Sequence, residues 1–333
     1  MTIRAHAALE AKAVLKPFTY EVKDLGPYDV EIAVSHCGLC FSDIHLIDND
    51  WGTTVYPLVP GHEIIGKIVR KGSSVEGLEI GQRVGVSYQH SACLSCETCR
   101  LGYENSCPKK TATCVGHHGG FADKMIADGR FTFPIPDALP SEAAAPLMCA
   151  GATVFAPLQR YMTIPSTVGI IGIGGLGHLA LKFARAMGHQ VIAISHSPEK
   201  KAEAMGFGAH ALLNNGNEQA MKEAASSCDF ILNTANVDYN WSDYIALLKP
   251  RGTLCFVGRP PHNIDFHAKL LTAGEKQVSG SNVANRITMR EMLDFAAKKN
   301  LSPAIELFPM ADINRAIEKL RKGEVRYRAV MKN

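Results

Sequence analysis

The sequence predicts an α/β chain in which a doubly wound parallel sheet is joined to a β-rich region, and three observations carry that reading. From about Ser141 onward, short apolar strands alternate with amphipathic helical stretches, the pattern of a parallel sheet covered on both faces. Within that half, a glycine turn over Gly172–Gly177 follows one strand and opens a helix. Ahead of it, the first 135 or so residues break into short strands divided by Gly, Pro and Asp turns.

Taken in order, Val30–Val34 alternates as a strand should, Ile64–Val69 follows a glycine turn, and Gly81–Val86 is a third such piece. Val168–Ile171, Val191–Ile194, Phe230–Leu232 and Leu254–Val257 are the apolar strands of the second half. Arg290–Lys299 and Asp312–Lys322 read as helices, and Arg328–Met331 reads as a last strand. A length of 333 residues suits about two domains.

Charged residues make up 20% and apolar residues 46%, as in an ordinary soluble globular protein. A net charge of +3 without a long run of one sign gives no case for nucleic acid. No apolar stretch reaches the roughly 20 residues that span a bilayer, so no membrane partner is expected. Ten cysteines and an N-terminus without a signal-peptide core point to a cytoplasmic, reducing location.

Four of those cysteines, Cys93, Cys96, Cys99 and Cys107, fall within one short stretch and are followed by Pro108. Spacings of two residues let neighbouring thiolates converge on one tetrahedral Zn²⁺, and four thiolates leave that ion no open position. The site is therefore expected to be structural. Two disulfides or an iron–sulfur cluster could use the same residues, but the last spacing is longer than in the ferredoxin-type run. A nucleic-acid-binding zinc ribbon is the rival reading, and the lack of a basic patch argues against it.

In Gly172-Ile173-Gly174-Gly175-Leu176-Gly177, Gly172 permits the tight turn, Gly174 lets a pyrophosphate approach the backbone, and Gly177 allows close helix–strand packing. The next strand ends in Ser195-His196-Ser197, with Lys200 beyond it. An NAD site usually places a carboxylate at this tip; hydroxyls and an ammonium suit a 2′-phosphate instead. NADP(H) is the expected cofactor, against a plain solvated helix start.

Cys40, His62, Glu63 and Cys149 are unremarkable singly. With their surroundings they carry a resemblance. Cys40-Phe41-Ser42-Asp43-Ile44-His45, Pro60-Gly61-His62-Glu63, the four-cysteine lobe, Leu147–Thr153, Gly172–His178 and Tyr327-Arg328 together are similar to a zinc-dependent medium-chain alcohol dehydrogenase. The likeness is strongest to the cinnamyl-alcohol-dehydrogenase-like branch and its NADPH-dependent aldehyde reductases. It implies a Rossmann domain over 151–286 and a GroES-like catalytic domain over 1–150 and 287–333, with the active site in the cleft between them. It also implies two zinc ions per chain, the catalytic one held by Cys40, His62 and Cys149, with Glu63 as an exchangeable ligand.

The same resemblance makes Ser42 and His45 a proton relay and places Thr153 against the nicotinamide. Asp43 would fix the tautomer of His62. Where many relatives carry a histidine that contacts the pyrophosphate this chain has Phe41, which implies either a lower cofactor affinity or a larger share of the binding for Arg328 and backbone donors. The implied reaction is reversible, NADPH-dependent reduction of aldehydes to primary alcohols by a homodimer. An NAD-dependent alcohol or polyol dehydrogenase is the alternative.

Overall fold

The computed structural model describes residues 2–22, 24–162 and 164–333. Among the described residues, nine strands lie ahead of residue 153: β1 (Thr2–Ala7), β2 (Lys16–Glu21), β3 (Asp29–Leu39), β4 (Glu63–Lys71), β5 (Arg83–Val86), β6 (Gln89–Ser91), β7 (Thr111–Ala112), β8 (Lys124–Asp128) and β9 (Thr132–Pro134). Six more follow, β10 (Thr167–Ile171), β11 (Gln190–Ser195), β12 (Ala211–Asn214), β13 (Cys228–Asn233), β14 (Leu248–Phe256) and β15 (Gln277–Gly280). The last two are β16 (Ile305–Pro309) and β17 (Arg328–Lys332).

Two compact units result, one of the chain up to Ala152 with Val283–Asn333, the other of Thr153–Asn282. The second crossing falls at Val283, earlier than the expected 287. Its cause is local: the Val283 carbonyl accepts from Asn105 Nδ2 at 2.7 Å, and the Asn285 side chain caps the helix Arg286–Lys298 by accepting from Thr288 N at 2.8 Å.

In the first unit, seven strands form one sheet in the order β16-β17-β3-β4-β5-β9, with β8 also pairing β3. β17 and β4 lie antiparallel on either side of β3. Their registers set Leu39 opposite Ala329 and Gly38 opposite Glu63, so the same end of three neighbouring strands carries Arg328, Cys40 and Glu63. Val30, Ile32, Ile64, Ile68, Val84 and Val86 pack into the core beside this sheet. An apolar core this closely packed leaves the strand ends little freedom to move.

The second unit is a six-stranded parallel sheet in the order β12-β11-β10-β13-β14-β15. The order reverses between β10 and β13, which is where such sheets bind ligands beyond their C-terminal strand ends. Central β10 and β13 are covered on both faces, and their continuous apolar runs follow from that. The edge strands β12 and β15 are short and partly exposed. β14 begins at Leu248, well before the expected Leu254; Lys249-Pro250-Arg251-Gly252 reads as a turn, yet Leu248 pairs with Cys228 ahead of a register shift.

Among the described residues, no helix is long and apolar enough to cross a membrane. Phe230 lies fully buried in β13 and stacks on Tyr161 with ring centroids 5.5 Å apart. Truncation to alanine removes that contact and leaves a cavity. Phe230→Ala should lower stability by about 3–5 kcal/mol, read as an earlier midpoint in urea denaturation followed by circular dichroism.

Candidate functional site

The mixed ligand set is built on the sheet of the first unit. Cys40 follows β3 and precedes the helix Phe41–Asp48, whose third residue is Asp43. Asp43 is buried and accepts three hydrogen bonds: from Cys40 N at 2.9 Å, from Gly61 N at 3.0 Å and from His62 Nδ1 at 2.8 Å. Since Nδ1 donates to this carboxylate, the lone pair of His62 lies on Nε2. Tyr88 meets the His62 ring edge-on at 5.3 Å and limits its rotation. Cys149 arrives from a π-helical turn, Leu147–Gly151, whose Met148 carbonyl accepts from Ser87 Oγ at 2.6 Å.

Ligand atoms of Cys40, His62, Glu63 and Cys149 all lie within 4.8 Å of one another. Two of them, His62 Nε2 and Glu63 Oε2, are buried with no hydrogen-bond partner. Buried polar atoms left in that state are costly, and a cation among them removes the cost. A Cys149 thiol that donates to Cys40 holds Cys40 well below the ordinary thiol range, against burial and with help from Arg328, and is itself pushed up. Burial pushes Glu63 up to about 7 against the pull of Arg328. Burial also disfavours a charged His62, but Asp43 outweighs it and raises the imidazole. A thiolate, an imidazole lone pair and a spare carboxylate oxygen fit Zn²⁺, and the ion would displace the remaining protons.

Arg328, expected in the cofactor set, is only 4% exposed, and its guanidinium pairs with Glu63 Oε1. The β17–β3–β4 register brings that pair together. Gly38 escaped sequence reasoning altogether. A Cβ there would come within 1.9 Å of Glu63 Oε2, so only glycine leaves the carboxylate its place. No motif marks this need; the strand pairing creates it.

Ser42 and His45 lie on the helix that starts after Cys40. His45 Nδ1 bonds Asp50 at 2.7 Å, and its ring sits between Phe41 and Trp51, with centroids 5.6 and 5.2 Å away. Trp51 packs against the core cluster of this unit. Phe41 is 41% exposed.

The four-cysteine lobe stands apart from this set in sequence and in chemistry. Cys93 to Cys99, Cys96 to Cys107 and Cys107 to Cys93 are separated by 3.9, 3.9 and 3.6 Å. Sulfurs about 2.3 Å from one tetrahedral zinc lie roughly 3.8 Å apart, whereas a disulfide needs about 2.05 Å. The backbone N–H groups of Ser95 and Cys96 bring the Cys93 thiol down to about 5, and burial lifts Cys99 to about 12. A dication bound here would hold all four as thiolates. The lobe fits a closed zinc site.

In the second unit, Gly172 follows β10 with φ +88°, a left-handed conformation that favours glycine. A Cβ on Gly177 would strike the Gly172 carbonyl oxygen at 1.9 Å, whereas one on Gly174 would meet nothing within 4 Å. Open space above Gly174 and the N-terminus of the helix Gly177–Ala186 form a phosphate cradle, with Gly175 and Leu176 between them. At the tip of β11, Ser195 is buried and its Oγ accepts from Ser197 N at 3.1 Å, which shapes the turn. His196 and Glu199 are exposed and Lys200 is half-buried, so no buried carboxylate closes the tip. Thr153, at the start of this unit, lies half-buried on the helix Ala152–Tyr161.

A closed four-thiolate site, a mixed sulfur–nitrogen–carboxylate site and a dinucleotide cradle on one chain define a zinc-dependent dehydrogenase by class. Comparison with known proteins agrees. Residues 26–137 match the alcohol dehydrogenase GroES-like domain, and residues 175–298 match the zinc-binding dehydrogenase family. The aldehyde reductase AdhA of Synechocystis is 41% identical, over 99% of this chain and 98% of its own. A cinnamyl alcohol dehydrogenase structure from Sorghum bicolor superposes with TM-score 0.95 at 38% identity, covering 100% of this chain and 98% of that one. A Helicobacter pylori cinnamyl alcohol dehydrogenase complexed with NADP(H) gives TM-score 0.92 at 31% identity, over 100% and 98%. The chain belongs to the zinc-dependent medium-chain alcohol dehydrogenase family, in its cinnamyl-alcohol-dehydrogenase-like branch.

Gly38→Ala should drive a methyl group into the Glu63 carboxylate. Metal analysis of the purified variant should show fewer than two zinc ions per chain, with the lobe cysteines still protected from alkylation.

Proposed function

We propose that this enzyme reduces aldehydes to primary alcohols with NADPH, reversibly, and carries one catalytic and one structural zinc. The observation that carries the reading is the ligand set of Cys40, His62, Glu63 and Cys149, with its two orphaned buried atoms. When bound, zinc supplies Lewis-acid polarisation of a carbonyl oxygen and the reduced nicotinamide supplies hydride. Everything else falls to the chain. Asp43 keeps the His62 lone pair aimed at the ligand cluster, and Arg328 steadies one oxygen of Glu63 while the other stays exchangeable. Ser42 gives a proton to the forming alcohol oxygen, and His45 resupplies it from solvent. With its Nδ1 on Asp50, His45 has Nε2 for that exchange.

On the cofactor side, the cradle at Gly172–Gly177 takes the pyrophosphate, and Ser195, His196, Ser197 and Lys200 take the 2′-phosphate. Support for NADPH comes from the half-buried Lys200 beside an exposed Glu199, and from the NADP(H) of the Helicobacter relative. Ten cysteines, with no disulfide among the described residues, suit a cytosolic enzyme. The second unit, whose sheet ends on β15, is the surface through which two copies would pair.

Aliphatic and aromatic aldehydes assayed with each cofactor test the reading, and equal kcat/KM with NADH would overturn the NADPH assignment. Lys200→Ala should lower kcat/KM for NADPH about tenfold or more and leave that for NADH nearly unchanged, as loss of one charge-assisted contact requires. Cys40→Ala should abolish turnover and lower bound zinc from about two ions per chain to about one. An active single-zinc variant would refute the catalytic site.

A further inference from the structure

The metal lobe does more than close on itself. Between Cys99 and Cys107 the chain makes a 3-10 turn, Glu104–Ser106, in which Glu104 is 2% exposed and Asn105 is 8% exposed. Both side chains, and the Gly102 carbonyl, point their bonds at one distant segment. Glu104 Oε1 accepts from Arg286 N at 2.8 Å and Arg286 Nε at 3.0 Å. Asn105 Nδ2 donates to the Val283 carbonyl at 2.7 Å, and Asn285 Nδ2 donates to Gly102 O at 2.8 Å. The Arg286 guanidinium also lies 5.3 Å from the ring of Phe131, which packs with Cys99 and Cys107.

The segment so held, 283–286, is where the chain returns from the second unit. It leaves the C-terminal end of β15, the same sheet edge that carries Gly172 at the end of β10, and Ser281 N still donates to Phe256 O at 2.9 Å. Ligands of such a sheet bind along this edge. A metal ion in the lobe would set the turn; the turn presents Glu104 and Asn105, and they hold 283–286, the far end of the strap that runs back from the cofactor edge. A buried carboxylate with a single cationic partner is a costly contact to break.

We propose that Glu104 is a positioning residue that couples the metal in the four-cysteine lobe to dinucleotide binding, through the strap 281–286. This rests on the dehydrogenase reading of the second unit. Linkage makes the coupling reciprocal: the nucleotide should tighten the lobe as the lobe tightens the nucleotide.

The zinc-loaded enzyme tests it. Saturating NADP⁺ should slow iodoacetamide alkylation of Cys93, Cys96, Cys99 and Cys107, followed by mass spectrometry, by about tenfold. Glu104→Ala should abolish that protection and raise the Kd for NADPH, from fluorescence titration, by a similar factor. Asn285→Ala, which leaves the buried ion pair in place, should shift both quantities the same way by less. A Glu104→Ala enzyme that melts earlier but keeps the wild-type Kd and protection would show a structural role only and overturn the coupling. So would wild-type enzyme that binds NADP⁺ without protecting the lobe. Wild-type enzyme that binds no NADPH would refute the dehydrogenase reading itself. Amide hydrogen exchange over 283–288 then decides the clamp alone: acceleration in Glu104→Ala supports it, and wild-type exchange overturns it.

Discussion

The buried carboxylate of Asp43 is the contact on which the catalytic arrangement depends. One side chain accepts from the backbone before the helix, from the backbone of the Gly61 turn and from the His62 ring. Two segments distant in sequence, 40–43 and 61–62, are thereby held at one point. Because Asp43 is fully buried, each of those bonds acts where water cannot substitute for it. The imidazole tautomer, the position of Cys40 and the entry of β4 are settled together. A carboxylate so placed is affordable only because every donor around it is satisfied.

The two metal sites solve opposite problems. The lobe gathers four ligands from a few consecutive turns, so local chain geometry alone can assemble it, and its thiolates fill a tetrahedron. The mixed set draws on the end of β3, the start of β4 and a π-helical turn, so it exists only when the sheet is formed. Its electrostatics follow from burial. Thiols, carboxylate and guanidinium are desolvated together, so each shifts its neighbours, and the Glu63–Arg328 pair keeps one carboxylate oxygen fixed while leaving the other without a partner. An oxygen in that condition is suited to entering and leaving a metal's coordination sphere.

Much of this was legible beforehand, for identifiable reasons. The strand–glycine–helix pattern at Gly172 is local, and β10, β11 and β13 are buried on both faces, so their apolar runs could be read directly. β12 and β15 could not be, since short edge strands need little apolar sequence and gain their identity from a neighbour. In β14 the apolar run marks only Leu254–Phe256, while pairing of Leu248 with Cys228 extends the strand back through Pro250 and Gly252. The helical pattern in the sequence starts at Arg290; the cap at Asn285 moves the helix start to Arg286.

The sequence by itself determined the ligand types, the dinucleotide turn and the family, because spacing and side-chain chemistry are properties of the chain. Tertiary structure alone decided that Gly38 must lack a Cβ, that Arg328 faces Glu63, and that Glu104 and Asn105 hold the strap at 283–286. Each of those joins residues far apart in the chain, and strand register and packing, which no local pattern encodes, bring them together.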